Sequence, residues 1–148
     1  MTAPASDQIL LALFTEIGII DQLVRARLEA VLPDGLLLSH FVMLNHLARI
    51  ERPTSPVELA QALQVTKGAI TNTLQRLEER RLIAVLPHPT DRRGKRVALT
   101  AAGTAARDRC LTLASTGFSE LEAAVGAEAL AALVPPLRRL REYLDGAR

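Results

Sequence analysis

The sequence predicts a mainly α fold with one small β-hairpin. Three observations carry that expectation. Leu and Ala dominate while aromatic residues make up only 3% of the chain, a composition suited to helices packed through aliphatic side chains. Apolar residues recur every three or four positions over much of the length, which is the helical period. Residues 82–100 break that period: a β-prone run, a turn-rich loop and an alternating run follow one another, as in two strands joined by a tip.

With 148 residues, 49% of them hydrophobic and 23% charged, the chain is domain-sized and rich enough in apolar side chains to bury a core. The N-terminus has no cationic stretch ahead of a hydrophobic run, so no secretion signal is expected. The longest apolar runs, such as 9–14, fall far short of a bilayer, so no membrane span is expected either. The single cysteine, Cys110, rules out an internal disulfide and suits a reducing cytoplasm, where the protein is expected to reside.

The elements follow in order. Over 7–32, Ile9, Leu13, Ile17, Ile20, Val24, Leu28 and Val31 form one continuous helical stripe. Leu10, Leu11, Phe14, Ile19 and Leu23 widen it, so the helix needs more than one apolar partner: its own domain and a second subunit. The segment LPDG at 32–35 is a turn signal. A second helix is expected over 39–50, stopped by Pro53. The third has a legible start, with Ser55 as N-cap, Pro56 in the first turn and Glu58 completing a capping box. Val57, Leu59, Ala60 and Leu63 are expected to form its buried side. Thr66 then caps a helix running to about residue 81, with Ile70, Leu74 and Leu77 inward.

The opposite face of that last helix carries Thr66, Lys67, Gly68, Thr71, Asn72, Gln75 and Arg76. It is polar, cationic and able both to donate and to accept hydrogen bonds. Two short capped helices with such a face make a helix-turn-helix, whose second helix enters the major groove of DNA. Strands are expected over 82–86 and 95–100, joined by a basic loop into a wing. Four of the five residues 92–96 are cations: Arg92, Arg93, Lys95 and Arg96. Asp91 can accept backbone amides in the turn and hold neighbouring guanidinium groups. Arginines at such a tip reach phosphates or the minor groove, and His88 in the same loop is a further phosphate candidate. Thr100 fits the N-cap of the next helix.

Charge follows the same map. Residues 66–96 hold eight Lys/Arg against three acids, a net +5, while the whole chain carries +2. The remainder is therefore −3, and the local surplus is the electrostatic footprint to weigh against nucleic acid.

Together these stretches resemble the MarR family of transcription regulators. The wing signature of that family, Asp-x-Arg, a short strand, then Leu-Thr opening a long helix, is matched by Asp91-Arg92-Arg93, the strand after it, and Leu99-Thr100. The stretch SPVELAQALQVTKGAITNTLQRLEERRLI also resembles the family's helix-turn-helix. The likeness follows element order along the whole chain and is strongest over 55–103. It implies a homodimeric winged helix-turn-helix protein. Helices 7–32 and 104–148 would form the dimer interface, and 37–103 the DNA-binding lobe. It implies double-stranded DNA with a pseudo-palindromic operator as partner. By matching position, Arg93 would reach the minor groove, Asp91 would orient it, and Arg92 adds a candidate.

Three departures from the family pattern carry expectations of their own. Arg81 stands where the recognition helix often ends in Gly, so a left-handed cap is expected to be lost. Val85 stands where a basic residue often follows the first wing strand, removing a wing-bracing salt bridge. Pro135 and Pro136 fall inside the last long helix, where a kink or break is expected.

The remaining candidates are weighed against plainer roles. Cys110 is expected to be a small buried core thiol. His40 and His46 stand six apart, the wrong spacing for a zinc site on one helix face. His40 is the candidate for an effector pocket between the dimer arms and the DNA-binding lobe, where relatives bind small anionic or phenolic molecules. With no phosphate loop, metal cluster or nucleophile motif, neither an enzyme nor a cofactor is expected. The expected function is a sequence-specific DNA-binding repressor. Lys67, Arg76, Arg92, Arg93 and Lys95 would hold phosphates, and Thr71, Asn72 and Gln75 would read base edges. The rival is a winged-helix protein-interaction module that has lost operator binding.

Overall fold

The computed structural model describes residues 6–147. Seven helices and one hairpin follow one another: α1 (Ser6–Val31), α2 (Leu38–Ile50), α3 (Pro56–Leu63), α4 (Lys67–Glu79), β1 (Ile83–Pro87), β2 (Lys95–Leu99), α5 (Ala101–Gly117), α6 (Ser119–Val125) and α7 (Ala127–Gly146). The mainly helical chain with a small two-stranded wing is therefore what the sequence led one to expect.

The core lies where α2, α3, α4 and the hairpin meet. Met43, Leu44, Leu59, Leu77 and Val97 are at most 1% exposed, and they come from four different elements. Each helix reaches this core through the spacing of its apolar residues. In α4, Ile70, Leu74 and Leu77 recur at four and three positions and are all buried. In α3 the expectation holds for Leu59 but not for Val57, which is 62% exposed. Two helical positions separate them, about 200° of rotation, so both cannot face one core.

Caps set the helix starts. Ser55 Oγ accepts the Glu58 amide at 3.2 Å while Glu58 accepts the Ser55 amide at 2.8 Å, the reciprocal pair the sequence signalled. Thr66 Oγ1 accepts the Ala69 amide and Thr100 Oγ1 the Gly103 amide. At the far end of α4 the left-handed cap is present after all. Arg81 itself adopts φ 59°, its amide donates to the Glu78 carbonyl at 2.8 Å, and the Leu82 amide donates to that of Leu77 at 2.9 Å. That is a Schellman closure with Arg in the place usually taken by Gly.

The hairpin pairs Ile83 with Leu99 at its open end and, next to the loop, Pro87 with Lys95. Pro87 has no amide to donate and so ends the ladder. A third segment joins the sheet by one residue: Thr54 and Val97 exchange both backbone hydrogen bonds, at 3.0 and 2.7 Å. This ties the start of α3 to the middle of β2.

The long C-terminal helix expected after the wing is three helices. The breaks fall at Phe118 and at Gly126, whose φ is 93°. Pro135 and Pro136 lie inside an uninterrupted α7, contrary to the expected kink or break at that point. Both prolines are exposed, so the carbonyls they leave unpaired can bond to water instead of being buried.

α1 buries none of its 26 residues fully. Ile17, Val24, Leu28 and Val31 are half-buried, against α5 and α2. Toward its N-terminus, Ile9, Leu10 and Leu11 stand 52%, 49% and 71% exposed. α7 likewise buries no residue and exposes Leu133, Val134, Leu137 and Leu144. Among the described residues, no helix is long and apolar enough to cross a membrane.

Candidate nucleic-acid interface

The outward face of α4 is what remains once Ile70, Leu74 and Leu77 turn into the core. Thr66, Lys67, Gly68, Thr71, Asn72, Gln75 and Arg76 are all exposed. A side chain placed on Gly68 would meet nothing within 4 Å, so the backbone at the helix start is open to close approach. Thr71 Oγ1 donates to the Lys67 carbonyl at 2.9 Å. Arg76 Nε donates to Asn72 Oδ1 at 3.2 Å, and Gln75 Nε2 to Glu79 Oε1 at 3.0 Å. These exposed contacts order the face yet are weak enough to be exchanged for an incoming partner. They leave the Asn72 amide hydrogens and the Gln75 carbonyl outward as donor and acceptor.

Beside this face stands the wing. Asp91 Oδ1 accepts the Arg93 amide at 2.9 Å, and the Gly94 amide donates to the Asp91 carbonyl at 3.0 Å. Asp91 thus shapes the turn through the backbone, as expected. It holds no guanidinium, so its orienting effect on Arg93 runs through the main chain. The side chains of Lys67, Arg92, Arg93 and Lys95 make no hydrogen bond or ion pair with other described residues. Four cations are thus uncommitted, at the start of α4, in the wing loop and at the first residue of β2.

Arg96 differs from its neighbours in being bound to the rest of the lobe. It is half-buried, with its guanidinium 3.7 Å from Glu58 Oε2 and 3.5 Å from the Pro53 carbonyl. Val85, where a bracing salt bridge would be missing, pairs with Val97 in the ladder; Arg96 supplies a brace from the other strand. Strand alternation, which turns Arg96 away from Lys95 and Val97, was the available signal. Glu58 is a firm anchor for it. The Ser55 amide, the Thr54 hydroxyl and the Ser55 side chain hold its carboxyl at about 2, with Arg52 adding to the effect.

His88 turns into the wing and not toward a phosphate. Its Nδ1 accepts the amides of Thr90 and Asp91 at 3.2 and 3.1 Å. His40 is 4% exposed, and its Nδ1 accepts the Leu37 amide at 3.1 Å at the start of α2. Burial pushes its pKa down, and Arg80 and Arg76 push the same way, so the ring is neutral there. A cleft of about 920 Å³ does open between α1, α2 and α4, bordered by Arg25, Glu29, Val42, Met43, Val65 and Thr73. His40 is not on its walls. Cys110 is 1% exposed, and burial pushes its thiol up, away from the reactive thiolate. Among the described residues no three of His, Cys, Asp and Glu gather in a group able to hold a metal ion.

The model of the MarR family matches residues 34–94, which span the core of the helix-turn-helix and the wing tip. The chain is similar to the multiple antibiotic resistance protein MarR of Escherichia coli (strain K12), with 43% identity over 56 residues. That stretch is 38% of this chain and 39% of the relative, so the match spans about two fifths of the curated protein's length. Structural likeness extends further. A variant of Escherichia coli MarR complexed with operator DNA superposes with a TM-score of 0.71 at 29% identity, covering 93% of this chain and 99% of that one. Bordetella bronchiseptica BpsR, whose DNA binding is regulated by 6-hydroxynicotinic acid, gives 0.71 at 25% identity over 88% and 98% of the two chains. Motif, wing and whole-chain architecture agree in their likeness to the MarR family of winged-helix transcription regulators.

Proposed function

We propose that the protein is a cytoplasmic homodimeric repressor that binds double-stranded DNA at a pseudo-palindromic operator. The observation that carries this reading is the set of uncommitted cations, Lys67, Arg92, Arg93 and Lys95, flanking an exposed polar helix face. A surface evolved only for solubility has no reason to leave these cations without ion-pair partners. In this reading Lys67, Arg76, Arg92, Arg93 and Lys95 hold phosphates, with Arg93 also entering the minor groove and Asp91 fixing its backbone. Thr66 and Gly68 bring the start of α4 against the phosphate chain. Thr71, Asn72 and Gln75 read base edges, the two amides favouring adenine. The exposed apolar faces of α1 and α7 support pairing of two subunits, since contiguous apolar surface of that extent seeks a partner. The reading assigns no catalytic role.

Release by a small anionic or phenolic effector is the second part of the proposal. The cleft between α1, α2 and α4 is its place, and the ligand regulation of BpsR supports it. His40, behind the cap of α2, enters only by holding the cleft-forming helix in place.

Fluorescence anisotropy on duplexes covering the gene's own upstream region tests the reading, run over a salt series beside Arg92→Ala/Arg93→Ala. Site-selective binding that the double variant weakens is the expected result. If native and variant protein bind every duplex alike and weakly, the reading fails and the interaction-module rival replaces it.

A further inference from the structure

We infer that His88 and Arg96 are positioning residues, a polar strut that fixes the wing tip so that Arg92 and Arg93 project toward DNA. The inference rests on the DNA-binding reading above. The tip needs such a device because it has no apolar core: Leu86, Pro87, residues 89–93 and Lys95 are exposed. Beyond the end of the ladder the loop is held by a few hydrogen bonds, and two of its amides converge on one ring. His88 Nδ1 accepts the amides of Thr90 and Asp91, while the His88 amide donates to the Gly94 carbonyl at 3.0 Å. Asp91, held in that way, in turn accepts the Arg93 amide. The backbone carrying both tip arginines therefore hangs on the imidazole.

The ring is itself held from two sides. A side chain on Gly94 would come within 2.8 Å of His88 Cβ and 3.1 Å of its Cγ, so the loop closes tightly over it only because residue 94 is glycine. On the other side the Arg96 guanidinium lies 3.1 Å from Nε2. The same guanidinium reaches Glu58 and the Pro53 carbonyl, and Glu58 is fastened to Thr54 and Ser55 at the start of α3. A continuous path of side-chain contacts thus runs from the helix-turn-helix through Arg96 and His88 to the backbone of the arginine tip. Nδ1 is taken up by the two amides, so Nε2 meets the guanidinium without an acceptor lone pair of its own to offer, and Arg96 bounds the position of the ring by contact and not by a hydrogen bond to it.

His88→Ala, His88→Asn and Arg96→Met separate this role from bulk stability. Three readouts are needed: operator and scrambled-duplex affinity, thermal midpoint, and amide exchange of Thr90, Asp91 and Arg93 by NMR in the DNA-free protein. Loss in His88→Ala of the one atom that accepts two amides should free the tip and lower operator affinity about tenfold, with scrambled-duplex binding and midpoint near native. Asn restores an acceptor oxygen at the place of Nδ1, so His88→Asn should recover most of the affinity and amide protection. Arg96→Met, which leaves the loop's own hydrogen bonds in place, should show a smaller loss in the same direction. Native exchange and native affinity in His88→Ala, or His88→Asn no better than alanine, overturns the strut. Wild-type protein that fails to prefer any duplex overturns the DNA-binding reading instead, and the strut's role in it, while the exchange data show whether the ring still orders the loop.

Discussion

At Arg81 the chain leaves the recognition helix with φ 59°, a conformation unfavourable for any side chain bearing a Cβ. The closure survives because the two backbone hydrogen bonds to Glu78 and Leu77 outweigh that strain, and because Thr100 Oγ1 donates to the Arg81 carbonyl at 2.8 Å. Arg81→Gly keeps all three contacts and removes the strain. It should stabilise the fold by about 1 kcal/mol, raising the thermal midpoint by roughly 3 °C; a lowered midpoint in calorimetry would show the cap to be unstrained. Glu58 gives the matching pH prediction. Its folded-state carboxyl lies at about 2 against an ordinary 4.5, so the folded state favours the ionised form. The stabilisation is complete above the ordinary value and is lost as pH falls from about 4.5 to 2. The side chain is 45% exposed, so solvent screening keeps the effect modest. Acid titration of stability should therefore be steeper over that window for the wild type than for Glu58→Gln, and superimposable curves would refute it.

Elements with a local chemical signal were legible in the sequence; those decided by distant contacts were not. Ser55 with Glu58, Thr66 and Thr100 each announce a helix start, because a cap is made by residues three positions apart. The recognition helix was readable down to its face, since Ile70, Leu74 and Leu77 leave only one side for Thr71, Asn72 and Gln75. Thr54 was not readable: one residue pairing with Val97 has no periodicity to betray it. Nor was the role of Arg96, which depends on Glu58 lying opposite the strand, nor the breaks at Phe118 and Gly126, where solvent exposure made the prolines the wrong place to look. Gly103 belongs to the same class. It sits in the first turn of α5, buried, where a methyl group would collide with the Leu82 carbonyl and the Leu99 side chain. The Thr100 amide donates to that same carbonyl at 3.2 Å. Gly103→Ala must therefore push α5 away from the hairpin base, a loss of about 2 kcal/mol. Urea unfolding with a lowered midpoint and unchanged slope is expected, despite the better helix propensity of alanine; a gain in stability would mean the contact yields freely.

For the whole molecule, the question is what covers α1 and α7. A monomer would leave Leu11 71%, Leu23 61% and Leu133 53% exposed on helices without one fully buried residue. On the proposed reading a second copy covers them, and the two recognition helices then meet DNA roughly one turn, about 34–36 Å, apart. Association and DNA binding are thereby linked, and salt measures the link. If each subunit neutralises about four phosphates, the log–log slope of affinity against salt is about −7 for a dimer and about half that for one subunit. Leu133→Glu/Leu137→Glu places charges on an exposed face of α7 that makes no part of the core, so the lobe should keep its helicity while the dimer dissociates. Sedimentation velocity should show the mass halved, and the anisotropy slope should fall to about −4 with operator affinity greatly weakened. A variant that stays dimeric would place the interface elsewhere on the molecule. One that dissociates yet keeps the steep slope would mean that a single lobe gathers all the phosphate contacts, and the two-fold operator would have to be abandoned.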